Sequence, residues 1–288
     1  MEARRFSDGD YEAVCDFLIA LNRTDKTHIN WNWARFEWMY GHPAFDWENR
    51  SKFGLWLDGG RVVGAAIYDM YFGEAFCAAL PAYRSLYPEI LAYAYRELRD
   101  DAGLAIAICD GNRDEIEAAK QCGFLPVAQD ETILSIPLDR AFFAPLPAGF
   151  RFAEIAQQTD GEELGWFFWQ GFDHGEDRAE FERQEQIAPR MRKHFRRELS
   201  VGVLDAEEEK AALCCLWKQD QTDYAYVEPV CTIPRYRGKG LAKAAIYEAL
   251  NRAAAMGART AYVISDMPFY RKLGFAEESH FTFYRKAL

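Results

Sequence analysis

Two stretches of the chain run apolar into a short polar or glycine turn and then run apolar again. "KFGLWLDGGRVVGAAIYD" (52–69) reverses at Asp58-Gly59-Gly60, and "LSVGVLDAEEEKAALCCLWKQD" (199–220) reverses around Glu207 to Lys210, so each predicts a β-hairpin. Elsewhere the apolar residues recur at helical spacing, as in "YEAVCDFLIAL" (11–21), "LGWFFWQGF" (164–172) and "LAKAAIYEALNRAAAMG" (241–257), the last with Gly257 as its stop. The first two helices follow a short strand and a capping pattern, Ser7-Asp8-Gly9-Asp10 and Thr159-Asp160-Gly161-Glu162. "YAYVEPVCTIP" (224–234) and "RTAYVIS" (259–265) are β-branched and aromatic enough for strands.

The same order of elements occurs twice. Ser7 and Thr159 are 152 residues apart; Pro81, Tyr83 and Arg84 precede Pro234, Tyr236 and Arg237 by 153; Gly123-Phe124 precedes Gly274-Phe275 by 151. Three matches in one order at nearly one offset predict a duplicated unit. Each unit reads strand, helix, hairpin, strand, long helix, strand, short helix and closing strands: an α/β (α+β) fold with a mixed, mostly antiparallel sheet flanked by helices. "PLDRAFFAPLPAGF" (137–150), broken by Pro137, Pro145 and Pro147, reads as the linker, which places the units at 1–140 and 148–288 with the boundary near 145.

Composition narrows the function classes. The net charge of -11 argues against a nucleic-acid partner, whose affinity comes largely from Lys and Arg on phosphates, and leans towards a cationic acceptor. No apolar run reaches the roughly 18 residues of a membrane span, and no signal peptide is visible, so no membrane association is expected. The seven cysteines form no CxxC pair and sit mostly among apolar neighbours, which predicts reduced thiols and a cytoplasmic protein. The five histidines show no metal-binding spacing, so no metal site is expected.

One stretch is out of keeping with this acidic background. In "PVCTIPRYRGKGLAKAAIYEAL" (229–250), Arg235, Arg237 and Lys239 crowd the start of a helix, where basic residues oppose the dipole unless an anion sits there. A strand, a glycine turn and a helix N-terminus make a pyrophosphate cradle, with Gly238 and Gly240 leaving backbone N–H groups uncovered. The loop is neither GxxxxGK[ST] nor GxGxxG, since Lys243 stands where the third glycine would be. Arg237 to Ala242 reads R-x-x-G-x-A instead. In this pattern, in "EPVCTIPRYRGKGLA" before it and in "FYRKLGF" beyond it, the chain resembles the GNAT acetyltransferase family, specifically over 226–276 and by topology over 151–288.

The resemblance implies two tandem GNAT-like domains and acetyl-coenzyme A as co-substrate. It implies cofactor contacts from Arg235, Arg237, Gly238, Lys239, Gly240, Leu241 and Ala242, and from the backbone of Val230, Cys231 and Thr232 on a splayed strand pairing the pantetheine arm. Tyr270 would protonate the leaving thiolate. Glu228, two residues before Val230 and therefore expected on the same face, is a base candidate or else a substrate-binding or structural carboxylate. Many family members carry an Asn after the fifth strand, where this chain has Ser265-Asp266-Met267-Pro268. In the first unit Ser85, Tyr87 and Glu89, with Pro88, replace the loop, and Ala119 stands opposite Tyr270, so that unit is expected to bind no cofactor.

The expected function is acetyl transfer to an amine of a small molecule or peptide by a monomer or homodimer, with a non-catalytic coenzyme A sensor or scaffold as the alternative. Two further stretches stay open. Trp31, Trp33, Trp38 and Trp47 form either an aromatic lid or core packing. The basic run Arg190, Arg192, Lys193, His194, Arg196 and Arg197 forms either a phosphate or partner contact or a solvated helix face.

Overall fold

The computed structural model describes residues 1–288 except 25, 43, 154–160 and 184–193. The chain order is β1 (Glu2–Arg5), α1 (Tyr11–Thr24), α2 (Trp33–Gly41), β2 (Gly54–Asp58), β3 (Arg61–Tyr68), β4 (Ala75–Ala79), α3 (Tyr87–Glu97), β5 (Leu104–Cys109), α4 (Arg113–Gln121) and β6 (Leu125–Pro137). It continues with β7 (Arg151–Ala153), α5 (Gly161–Gly171), α6 (Arg178–Arg183), β8 (Ser200–Leu204), β9 (Lys210–Trp217), β10 (Tyr224–Thr232), α7 (Leu241–Ala255), β11 (Thr260–Ile264), α8 (Pro268–Lys272) and β12 (Ala276–Lys286). Both expected hairpins form, β2–β3 and β8–β9, each antiparallel. At the first cap the Ser7 N–H donates to the Asp10 carboxylate at 2.8 Å. The second capping pair, Thr159-Asp160, lies outside the described residues, as do Arg190, Arg192 and Lys193.

The strands form two sheets, β1-β2-β3-β4 and β5-β12-β6-β11-β10-β9-β8-β7. The longer sheet joins the two halves of the chain by exchange. β6 leaves the first half and pairs with β11 of the second, from Ile133 opposite Ile264 to Pro137 opposite Thr260. β12 returns from the second half and pairs with β5 of the first, from Phe281 opposite Cys109 to Lys286 opposite Leu104. The two exchanged strands also pair antiparallel with each other along most of their length. Both are long enough to pair with two neighbours each in this one sheet, at 13 and 11 residues. Sequence periodicity predicts the closing strands but not this exchange, because a strand's pattern shows which face is buried and not which neighbour lies beside it.

The packing follows the exchange. Leu134 and Ile136 of β6 belong to the second half's apolar core, beside Val201, Leu213 and Ile246. Trp217, Tyr224, Tyr226 and Tyr262 of the second half pack with the first half's core, beside Phe36 and Trp56. Aromatic faces thus fill the seam. Trp33 of α2 meets Trp217 of β9 edge to face, centroids 6.2 Å apart. All seven cysteines are free thiols, six of them buried.

Candidate active site

β10 pairs with β11 in parallel only from Tyr224 to Tyr226, then diverges. Its other edge stays on β9, with Val230 opposite Cys214, Cys231 opposite Leu213 and Thr232 opposite Ala212. Beyond Tyr226, then, β10 has one paired edge and one facing an opening between itself and β11. A bulge between Val227 and Val230 breaks the alternation along β10. The expectation that Glu228 and Val230 share a face fails for that reason. Val230 packs against the second half's core, whereas Glu228 turns to accept a hydrogen bond from the Tyr226 hydroxyl at 2.7 Å.

At its far end β10 leads into the glycine loop. Gly238 and Gly240 have φ of +76° and +80°, in the left-handed region that a side chain makes costly. A Cβ added at either would meet nothing within 4 Å, so the space over the loop is open. Gly240 is the N-cap of α7 and offers no side-chain cap, leaving the first N–H groups of the helix, those of Leu241, Ala242 and Lys243, without an intrahelical acceptor. Open space, uncapped amides and a positive helix end suit a pyrophosphate.

The three basic residues are held differently. Arg237 donates to the carbonyls of Thr232 at 3.1 Å and Gly171 at 3.0 Å, and its Nη1 lies 2.9 Å from Asp173. It braces the loop against β10 and the end of α5. Arg235 lies over the ring of Tyr236, 4.9 Å from its centroid, and Tyr236 donates its hydroxyl proton to Asp205. Lys239 lies over Phe150 and the same Tyr236, at 5.5 and 5.2 Å. These last two ammonium and guanidinium groups stand on flexible stems beside the open loop.

Tyr270 sits on α8, buried between Phe269 and Phe275, with ring centroids 5.2 and 5.7 Å away. Burial pushes its pKa up, and the nearby Cys214 and Glu228 push it further. It therefore keeps its proton, and its hydroxyl makes no hydrogen bond to a described residue. Ser265, in the place where an Asn was expected, accepts from the Met267 N–H at 3.1 Å and so shapes the turn into α8.

Glu228 opens into a cavity of about 280 Å³ lined by Arg35, Trp38, His42, Asp69, Tyr226 and Ile264 among others. Four of these residues come from the first half. Burial raises the Glu228 pKa, while the Tyr226 hydroxyl and the Arg35 guanidinium pull it back. Arg35 is itself clamped, with Nη1 2.5 Å from Glu131 and Nη2 3.3 Å from Asp69. Burial lowers the His42 pKa, which favours a neutral imidazole. The tryptophan-rich segment divides between its two readings. Trp31 stacks on Phe76 at 5.2 Å and Trp33 is wholly buried, both core; Trp38 lines the cavity; Trp47 packs on Tyr40. Arg35, His42 and Asp69 were missed from the sequence, where only the density of tryptophans around them marked the region.

The described part of the basic run is not a helix face. His194 meets Glu37, Arg196 pairs with Asp220 at 2.6 Å, and Arg197 opens a 3₁₀ turn.

In the first half the corresponding places are filled. Pro81–Leu86 is a 3₁₀ turn running directly into α3, with Tyr87 buried and the Glu89 carboxylate accepting from Trp56 Nε1 at 2.8 Å. β4 and β5 also diverge, being joined by an isolated bridge between Glu74 and Ala105 rather than a ladder. There the segment 26–31 crosses the gap, through Trp31 on Phe76 and His28 on Glu115 at 3.1 Å.

Residues 162–275 match the acetyltransferase (GNAT) family. No curated protein sequence matches the chain. A tandem GNAT protein from the clavulanic acid biosynthesis pathway superposes with a TM-score of 0.60 at 16% identity, covering 99% of this chain and 98% of its own. A GCN5-related N-acetyltransferase from Sphaerobacter thermophilus does so at 0.58 and 16%, covering 99% and 95%. A GNAT-family acetyltransferase from Colwellia psychrerythraea gives 0.56 at 13%, covering both chains completely. The splayed strand, the glycine loop and the repeated topology agree with these likenesses: residues 162–275 match the GNAT acetyltransferase family, and the chain as a whole has the fold of tandem two-domain GNAT proteins.

Proposed function

We propose that the second half transfers an acetyl group from acetyl-coenzyme A to the amine of a small molecule held in the cavity between the halves. One observation carries this: the unpaired edge of β10 runs from the open glycine loop to the cavity at Glu228, with Tyr270 within electrostatic reach of Glu228. The loop amides of 238–243, with Arg235 and Lys239, hold the pyrophosphate, and Arg237 keeps the loop in shape. Those backbone N–H and C=O groups of Val230, Cys231 and Thr232 that point away from β9, apart from the Thr232 carbonyl held by Arg237, receive the pantetheine arm as a further strand. The bound thioester supplies an activated acyl group with a fair leaving group.

Glu228 takes the proton of the attacking amine, directly or through water, since an ammonium has no lone pair to attack with. Tyr270, kept protonated by its burial, donates to the sulfur as the thiolate departs. Asp69 and Glu228 both face the cavity and favour an ammonium entering it, while its volume suits a small molecule better than a peptide. Trp38 adds an aromatic wall for the apolar part of such an amine.

The test is calorimetric titration with acetyl-coenzyme A, followed by a thiol-release screen of small primary amines. Expected are one binding site per chain and release with at least one amine of the set. A chain that binds no acetyl-coenzyme A at millimolar concentration overturns the proposal, and binding without release from any amine reduces it to a coenzyme A-binding module.

A further inference from the structure

Away from the cleft, four side chains bearing metal-ligating atoms converge from three parts of the chain. Glu12 and Cys15 lie three residues apart on one face of α1, Glu37 comes from α2, and His194 from the segment that leads into β8. One donor atom each from Cys15, Glu37 and His194 all lie within 4.8 Å of one another. Cys15 Sγ stands 3.9 Å from Glu37 Oε1, His194 Nδ1 contacts the same oxygen, and His194 Nε2 is 3.3 Å from Glu12 Oε2.

Two features set this group apart from an ordinary ion pair. The Glu37 side chain is 0% exposed, and its second oxygen, Oε2, has no partner at full hydrogen-bond distance, the Tyr11 hydroxyl near it lowering the carboxyl pKa only in part against burial. A buried carboxylate with one weakly held oxygen beside a buried thiol is unfavourable unless a cation completes the group. Glu12 in turn holds the outer nitrogen of the imidazole. With Nε2–H donated outward to Glu12, Nδ1 is left facing Glu37 and Cys15 as the nitrogen that takes the ion once its proton is released, which is how a carboxylate orients a ligating histidine.

We propose that Cys15, Glu37 and His194 form a binding site for a divalent transition metal, zinc by its donor set, with Glu12 as the residue that positions the imidazole. A sulfur, a nitrogen and a carboxylate favour zinc over the hard cations, and a thiolate with a carboxylate balances its charge. Bond lengths of about 2.0–2.3 Å place tetrahedral donors roughly 3.3–3.8 Å apart, close to the Sγ–Oε1 separation. The shorter Nδ1–Oε1 contact is the metal-free form, in which a proton occupies the ion's place. On binding, the ring moves back, the Nδ1 and thiol protons go to solvent, and Glu37 Oε2 or a water takes the fourth position. A surface cavity of about 380 Å³, lined by His194, Phe195, Arg196 and Gln219 among others, opens beside the ring and gives the ion a way in. The site is structural. It ties the helices of the first half, including the α2 that carries Arg35 and Trp38, to the second half.

The test uses full-length protein stripped by chelator and dialysed against Co²⁺ or Zn²⁺. Expected are one metal per chain and, with Co²⁺, a near-ultraviolet thiolate charge-transfer band that disappears in Cys15→Ser and His194→Asn. It should persist in Cys122→Ser, whose thiol lies outside the group. Glu12→Gln should weaken binding by about tenfold or more without abolishing the band. Should Cys15→Ser fold poorly by circular dichroism, Glu37→Gln, which keeps shape and removes charge, must alter the band and lower the affinity. A band that survives Cys15→Ser, or natively folded protein that retains no metal after dialysis, overturns the site.

Discussion

Residues 237–242 and 84–89 occupy equivalent places in the two halves and do opposite things with them. In the second half, two glycines with positive φ hold a loop open over uncapped helix amides. In the first, a 3₁₀ turn runs on into the helix, and a carboxylate at its first turn is already engaged by Trp56. Glu89 at that position also satisfies the positive helix end from within the chain. The pair shows that a helix N-terminus becomes an anion site only when the chain leaves it unsatisfied. The same contrast holds for the two splayed strand pairs, one open and one crossed by 26–31.

The strongest way to break this contrast is to close the second loop. Gly238→Asp with Gly240→Glu places side chains at positive φ and carboxylates where phosphates are to sit, and should weaken acetyl-coenzyme A binding by at least about a hundredfold in calorimetry. Binding that survives would show that the first half is not silent. Next in size is Tyr270→Phe, expected to lower turnover by roughly a hundredfold with cofactor affinity unchanged. Unchanged turnover would remove the phenol from the chemistry.

Glu228→Gln should lower kcat/KM by about tenfold and change its pH profile. In the proposed mechanism the ionised carboxylate is the base, and burial raises its pKa. The wild-type rate should therefore rise with pH through a step above the ordinary carboxylate value of about 4.3 and then level off. The Gln variant should lack that step; a step that persists belongs to another group. Smallest is Glu89→Ala, which leaves Trp56 Nε1 without its acceptor and should cost about 1 kcal/mol in denaturant unfolding. It should still bind one coenzyme A per chain, and a second binding event would mean that Glu89 alone closes the first loop.

Elements and loop were legible because their causes are local. Apolar runs divided by tight turns set the hairpins, helical spacing sets α1 and α7, and the need for bare backbone sets Gly238 and Gly240. The cavity was less legible because its walls are brought together by tertiary packing. Arg35 and Asp69 are distant from Glu228 in sequence, and nothing in their own neighbourhoods signals a shared cleft. Glu228 was named correctly as a carboxylate on β10, yet its facing was misjudged, because a bulge shifts parity and leaves no mark in the apolar pattern. Arg237 illustrates a different limit. Composition shows a cation beside the loop but not that two carbonyls and Asp173 hold it.

The exchanged strands have a consequence in time. The first half is translated first, yet β5 meets its neighbour strand only when residues 281–286 become available. On the ribosome the first half must wait with an open strand edge, a state prone to wrong pairing. The long sequence separation also makes closure a slow, late event. A ribosome stalled short of β12 would therefore hold β5 without its partner strand and β6 with one open edge, although the four-stranded sheet β1-β2-β3-β4 needs nothing from the second half.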